Sequence, residues 1–247
     1  MNLQDFSNGF DTLVNSYATR GAFGDTMPDI RFDEYEKSLY LTKYQEELII
    51  SLYTGKNPYR EGFEQTEEMR RYLSNLVVVD EVSPITNISG HPVGMEGKNS
   101  YFFSLPSENK PDVWFITYES VLLSDDNTDD CKKDAVMEVY PVRQDEYHKL
   151  KKNPFRGAND RRALRLDLAD GVIEIVCKYI VDKYYVRYLR KPKPIVLTDL
   201  ADGMSIEGEN TASTKIDVHE ALHQRILEGA VILALQSKGY KFNNENR

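Results

Sequence analysis

Leu164-Arg-Leu-Asp-Leu168, an Asp170-Gly171 turn, Val172-Ile-Glu-Ile-Val176 and Tyr184-Tyr-Val-Arg-Tyr-Leu-Arg190 are the stretch that decides the fold. β-Branched and aromatic residues alternate there with polar ones at a period of two, the pattern of half-buried strands. Asp followed by Gly closes a tight hairpin turn, so the stretch predicts an antiparallel meander. It runs on into Lys191-Pro-Lys-Pro-Ile-Val-Leu197. Neither Pro192 nor Pro194 can donate a ladder hydrogen bond, so that segment is an edge or an extended one. An edge beside Tyr184, Tyr185 and Tyr188 suits β pairing between subunits, and plain edge protection equally well.

Upstream, Val113–Leu123 and Ala135–Val142 read as two more strands, and the period changes toward two from Tyr101. The acidic link Asp125-Asp-Asn-Thr-Asp-Asp130 lacks the Gly and terminal Glu of a calcium loop, which leaves a solvated hairpin tip. A short helix is expected from Asp145 to Lys152. Before the strands the period is helical. Phe6, Phe10, Leu13, Val14 and Tyr17 mark one helix, and a Gly/Pro loop from Gly21 to Ile30 follows it. A second helix opens at Asp33-Glu-Tyr-Glu36, runs through Leu39, Leu41, Tyr44, Leu48 and Leu52, and stops at Gly55. Thr54-Gly-Lys-Asn57 lacks the first Gly and the Ser or Thr of a phosphate loop, so it is only that helix stop. A third helix from Glu64 to Leu76 turns Met69, Tyr72 and Leu73 inward. Helices, a central antiparallel β module and a C-terminal helix make an α+β fold. The parts are 1–80, 81–200 and 201–247, the last integrated with the N-terminal helices.

Composition sets the outer limits. The chain has 247 residues, 40% of them apolar, with 16 Tyr and 10 Phe, enough for one large or two small cores. No run approaches the ~20 apolar residues of a membrane span. Met1-Asn-Leu-Gln-Asp-Phe6 lacks the basic and apolar regions of a signal peptide. Cys131 and Cys177 have no C-x-x-C spacing, so they read as free thiols in a cytosolic setting. Charge is divided unevenly. Residues 1–142 hold 12 basic and 25 acidic residues, 143–193 hold 14 and 7, and 194–247 hold 5 and 8. The basic stretch could follow phosphates, yet it carries no Gly-rich or aromatic RNA-binding signature. Complementary charge between neighbouring subunits accounts for the division better.

The final helix opens with Asp217-Val-His-Glu-Ala-Leu-His223, which contains H-E-x-x-H. On an α-helix, His219 and His223 share a face and can hold zinc, with Glu220 as general base of a hydrolase. A third ligand is harder to find. Ile226 and Gly229 stand where the metzincin Gly and His belong, and Glu245 lies in the polar tail. The competing reading makes Asp217 and Glu220 a capping box, worth about 1 kcal/mol, on a partner-facing helix. Leu222, Ile226, Ala230 and Leu233 then form its apolar face. The capped helix is the favoured reading, with no catalytic residue, no metal and no cofactor. The segment after Lys238 is expected to order only on a partner.

A resemblance rests on an ordered set of motifs. Asp145-Glu-Tyr-His-Lys-Leu150, Asn153-Pro-Phe-Arg-Gly157, Arg162-Ala-Leu-Arg-Leu-Asp167, Tyr188-Leu-Arg-Lys-Pro-Lys-Pro-Ile195 and His219-Glu-Ala-Leu-His-Gln-Arg-Ile-Leu227 occur in that order. Tyr40-Leu-Thr-Lys-Tyr-Gln-Glu-Glu-Leu48 and Glu67-Glu-Met-Arg-Arg-Tyr-Leu73 extend it over most of the chain. Together they resemble a structural protein of the portal vertex of crAss-like tailed bacteriophages. More broadly, the arrangement is similar to podophage head-to-tail adaptors. The resemblance implies a non-enzymatic virion protein, assembled in the host cytoplasm as a homo-oligomeric, dodecameric ring between portal and tail. Its partners would be the portal protein and other tail or ring proteins, with genomic DNA passing through the lumen without specific binding, and no membrane. A different place in the virion, as a capsid-associated or packaged protein, is the alternative. Contacts are expected at Arg161, Arg162 and Arg190 of the basic stretch, at Tyr184 and Tyr188, and at Leu222 and Ile226 of the last helix.

Overall fold

The computed structural model describes residues 1–21, 30–58, 60–85, 100–108, 110–151, 153–169, 171–201, 203–208 and 211–240, with only the backbone of 18–21. Most of the Gly21–Ile30 loop, Asp170 of the turn and the tail from 241 lie outside the described residues. Two compact units divide the chain. One joins Met1–Leu76 to Pro192–Arg247, and the other is the continuous stretch Val77–Lys191.

The discontinuous unit is helical. Its elements are α1 (Leu3–Gly21), α2 (Glu34–Thr54), α3 (Glu67–Leu73) and α5 (His223–Ser237), with 3-10 turns at Ser74–Leu76 and Glu220–Leu222. Asp33 caps α2 with a capping box in which its carboxylate accepts from Glu36 N at 2.7 Å. Gly55 ends that helix at φ 75°, a left-handed cap that a side chain would strain. Thr66 caps α3. Helix α5 packs on α1 and α2, and its apolar stripe of Leu222, Ile226, Ala230 and Ala234 is fully buried.

The buried face of α2 differs from the face its leucines suggest. Leu39 is exposed and Tyr44 and Leu48 are half-buried, while Lys37, Ser38, Thr42 and Gln45 are inside. Segment 191–197 explains the polar stripe. It is extended, belongs to no sheet, and runs beside α2. Ile195 N donates to Thr42 Oγ1 (3.0 Å), Leu197 N donates to Ser38 Oγ (3.0 Å), and Gln45 Nε2 donates to Lys193 O (3.0 Å). A chain with two prolines cannot join a ladder, so helix side chains satisfy its amides instead. Lys37 sits at the other end of this stripe, 2.7 Å from Asp11 and 2.9 Å from Glu34. Burial works against its charge, but the hydrogen bonds it donates to both carboxylates, with their negative charges, outweigh burial and hold its pKa above the usual lysine value.

The continuous unit is a curled seven-stranded sheet. Its strands are β1 (Val77–Val82), β2 (Ser100–Ser104), β3 (Val113–Leu123), β4 (Val136–Pro141), β5 (Arg162–Asp167), β6 (Val172–Val176) and β7 (Val181–Arg190), in the order β1-β7-β3-β4-β5-β6-β2. Helix α4 (Gln144–Leu150) connects β4 to β5, and these two form the one parallel pair among otherwise antiparallel neighbours. The central antiparallel module is present as expected, and its single parallel pair arises because a helical crossover returns the chain in the same direction. The expected meander is corrected. β5 and β6 form the hairpin, but β7 lies between β1 and β3. β6 already has β5 and β2 as neighbours, so the next strand must pair elsewhere. Strand β1, not foreseen, supplies one partner; its signal was Val77-Val-Val followed by Val82. β7 is consequently no edge.

Just after β1, Ile85 N donates to Phe102 O of β2 at 2.7 Å, a bridge that brings the two ends of the sheet together. The inside holds Phe103, Val121, Leu123, Val139, Ile175, Tyr184, Val186 and Tyr188, all buried. The β3–β4 link is tied rather than freely solvated. Asn127 is buried, and its amide donates to Ser124 O (2.7 Å) and Ile180 O (3.1 Å) while accepting from Ile180 N (2.9 Å).

Candidate assembly surfaces

The H-E-x-x-H string does not occupy one helix. Helix α5 begins at His223, and His219 precedes a 3-10 turn, where its Nδ1 accepts from Ala221 N at 3.2 Å. The cap of this turn is therefore His219, not Asp217. Asp217 instead accepts from Lys193 N at 3.2 Å. Both nitrogens of His223 are engaged: Nδ1 lies 3.1 Å from the Met1 amino group and Nε2 3.2 Å from Val218 O. An ammonium donor fixes Nδ1 as acceptor, so Nε2–H donates and the ring is neutral. Burial, with the nearby amino group, holds its pKa below the usual histidine value despite the Val218 hydrogen bond. Among the described residues no group of three or more His, Cys, Asp or Glu could hold a metal ion. The ring and backbone contacts already account for both histidines.

Inside the sheet lies a charged cluster. Arg165 Nη1 donates to Glu119 Oε1 and Oε2 at 3.0 and 2.9 Å, and Tyr184 OH donates to Glu119 Oε2 at 2.8 Å. Arg165 Nε is 2.9 Å from Asp167 Oδ1 without the alignment of a hydrogen bond. Burial pushes the Glu119 carboxyl and the Tyr184 hydroxyl upward; Arg165 pulls Glu119 back only in part. Short contacts to both carboxylate oxygens are nevertheless those of an ionised pair. Tyr188 OH donates to Pro111 O at 2.8 Å, and burial pushes its pKa up to about 12. Glu119, Arg165 and Tyr184 are bonded to one another, and Tyr188 to a backbone carbonyl. Their role is to fix the packing of the sheet.

The residues expected at contacts separate accordingly. Tyr184, Tyr188, Leu222 and Ile226 are fully buried and hold this chain's own cores. They are corrected as contact residues, since a side chain inside the sheet or under α5 presents no surface to a neighbour. Arg161 is exposed. Arg162 is half-buried, its guanidinium 4.5 Å from the Tyr140 ring centroid, and Arg190 is half-buried at the end of β7.

Different residues form the free apolar surface. On the outer side of the sheet, Val79 of β1 and Tyr118 of β3 flank Arg187 of β7 in register, and Val136 of β4 stands opposite Leu122. Val79 is 63% exposed, Tyr118 52% and Val136 62%. Phe155, in the turn after α4, is 82% exposed. Only the strand pairing places Val79, Tyr118 and Val136 on one face, and their exposure is not readable from alternation within each strand. No helix of the described residues is long and apolar enough to cross a membrane.

A family model described as phage tail ring protein 3/4 matches residues 1–246. Ring protein 3 of Bacteroides phage crAss001 is 47% identical over 239 residues, covering 96% of this chain and 96% of that protein. Ring protein 4/5 of the same phage is 28% identical over 244 residues, covering 95% of this chain and 92% of the other. The match is near full length and spans both compact units, so it bears out the resemblance read from the ordered motifs. The chain belongs to the phage tail ring protein 3/4 family and is a ring protein of the crAss-like phage kind.

Proposed function

We propose that this protein is a non-enzymatic structural component of the virion. Its copies close into a dodecameric ring at the head-to-tail connector, between portal and tail. The observation that carries the reading is the uncovered apolar surface of the sheet unit, with Val79, Tyr118 and Val136 on one face and Phe155 beyond it. Large apolar side chains grouped on a surface mark contact sites more often than they mark idle surface. The buried polar groups Glu119, Arg165 and Tyr184 of the sheet bond one another, which supports a packing role for them.

A ring built from identical chains needs two different complementary patches on each copy, because only a head-to-tail contact propagates around an axis. The charge division supplies complementary material. Stretch 143–193 carries a net +7, and the helical unit holds 21 acidic against 14 basic residues. Portal and other ring proteins are the expected neighbours above and below, with DNA passing through the lumen. Native mass spectrometry and electron microscopy of the purified full chain test the reading. Closed rings of one size, tightened at low salt because exposed charges are screened over ~10 Å at 0.1 M, are the expected result. A chain that stays monomeric at every concentration and salt would overturn it.

A further inference from the structure

Phe155 is the most exposed large apolar side chain among the described residues, and it is not held loosely. Asn153 Oδ1 accepts from Phe155 N (2.9 Å) and Arg156 N (3.2 Å), and Gly157 N donates to Asn153 O (2.7 Å). Asn159 Nδ2 donates to Pro154 O at 3.3 Å. A Cβ at Gly157 would stand 2.8 Å from Asn153 O and 3.0 Å from Leu150 O, both backbone atoms, so the turn closes only on glycine. The result is an aromatic knob on a fixed stalk, with exposed Arg156 beside it. A preformed aromatic loses little freedom on docking, which is what makes such residues strong contact anchors.

The helical unit offers a matching recess. A cleft of about 670 Å³ between α2 and α5 is lined by Tyr44, Leu48, Leu52 and Ile232, with Glu47 and Glu228 among its charged residues. Its floor depends on Gly229: a Cβ there would fall 1.9 Å from Tyr44 Cζ, so the tyrosine ring lies directly over the α5 backbone. Lys56 and Arg225 also line the cleft, but the helical unit as a whole carries a net −7, whereas 143–191, the stretch that bears the knob, holds 13 basic and 7 acidic residues.

We infer that Phe155 of one copy docks in the α2–α5 cleft of a second copy of this chain, with Arg156 directed at Glu47 and Glu228. The inference rests on the ring assembly proposed above and names its contact. Knob and cleft are different surfaces of the same chain, as a head-to-tail ring contact requires.

Phe155→Ala in the full chain should weaken assembly about thirtyfold or more, the loss typical of a central aromatic anchor. Its melting temperature should not change, because the Phe155 side chain is exposed among the described residues. Arg156→Glu and Glu47→Lys should each weaken assembly, and the two together should restore part of it. A photo-crosslinking p-benzoyl-phenylalanine at position 155 should capture peptides of α2 or α5 from another copy. Rings of wild type that form equally well with Phe155→Ala would overturn the knob and leave the ring reading standing. Crosslinks to DNA, to a different virion protein or to other parts of this chain would overturn it as well. Wild-type protein that never associates would remove both.

Discussion

The two units solve the problem of buried polarity in opposite ways. In the helical unit, polar side chains are drawn inward to serve a backbone that joins no sheet: Ser38 and Thr42 accept from the amides of the strap at 191–197, and Gln45 donates to its Lys193 carbonyl. In the sheet unit the backbone serves itself through ladders, and buried charge pairs with buried charge at Glu119 and Arg165. The first arrangement consists of neutral hydrogen bonds, each of modest net worth. The second places two full charges where water is scarce, so losing one partner is severe while losing both is not.

Removing one charge should give the largest effect. Arg165→Met is expected to destabilise the sheet unit by about 3–5 kcal/mol at neutral pH, because Glu119 is left buried without its counter-charge. The loss should shrink on acidification. Glu119 already titrates above the usual carboxylate range, and without Arg165 it titrates higher still, so protonation relieves the folded state first. The double variant Glu119→Gln with Arg165→Met should recover most of the stability. Denaturation of all three at two pH values checks this, and a harmless Arg165→Met would break the contrast between the units.

A neutral contact should cost less. Thr42→Val keeps the shape but strands the buried Ile195 N–H, a loss of about 1–3 kcal/mol. Unlike Arg165→Met, it should respond little to pH. Hydrogen exchange at Ile195 should rise well before global unfolding if the strap is held as described.

Helix caps sharpen the comparison further. Asp33→Ala should cost about 0.5–2 kcal/mol, since it removes the capping box of α2. Asp217→Ala should cost less and should leave the helicity of α5 intact, because Asp217 holds the strap at Lys193 rather than the helix. Circular dichroism with thermal melts of both variants separates the roles; equal helix loss in the two would reinstate Asp217 as a cap.

The smallest effect expected is a pH dependence confined to the helical unit. His223 has a folded pKa below its unfolded value, so its contribution is present above about pH 6.5 and is lost as pH falls through the depressed folded value. The Met1 amino group, Glu220 and His219 act on it from its surroundings. His223→Gln should flatten that slope, and melts from pH 7 downward would show whether it does.

Periodicity, caps and turn formers carried the reading far. The strand Val113–Leu123 was legible to the residue because β-branched and aromatic residues fill it, and α2 was legible from Asp33 to Gly55 because both caps are local chemistry. Strand β1 was lost because it follows a 3-10 turn with no separating loop, so the helical pattern seemed to end in nothing. The inward face of α2 is not legible from its leucines, because part of its partner is a strap needing hydrogen bonds rather than an apolar helix. The contact residues failed for a related reason. Tyr184 and Tyr188 look like surface aromatics on an edge strand, yet pairing with β1 and β3 on either side put them in the core.

The sequence by itself determined the class of fold, most elements and the ordered motifs of the family, and it shows Ile226 and Gly229 where a metzincin continuation would place Gly and His. Those are properties of spacing and side-chain type, fixed within a few turns of chain. Only the tertiary structure decided which strands are neighbours, that the last helix starts at His223, that Glu119 meets Arg165, and that Phe155, Val79 and Val136 stand uncovered. Each of those depends on segments far apart in the chain arriving at one place, and local pattern carries no record of which partner a face will meet.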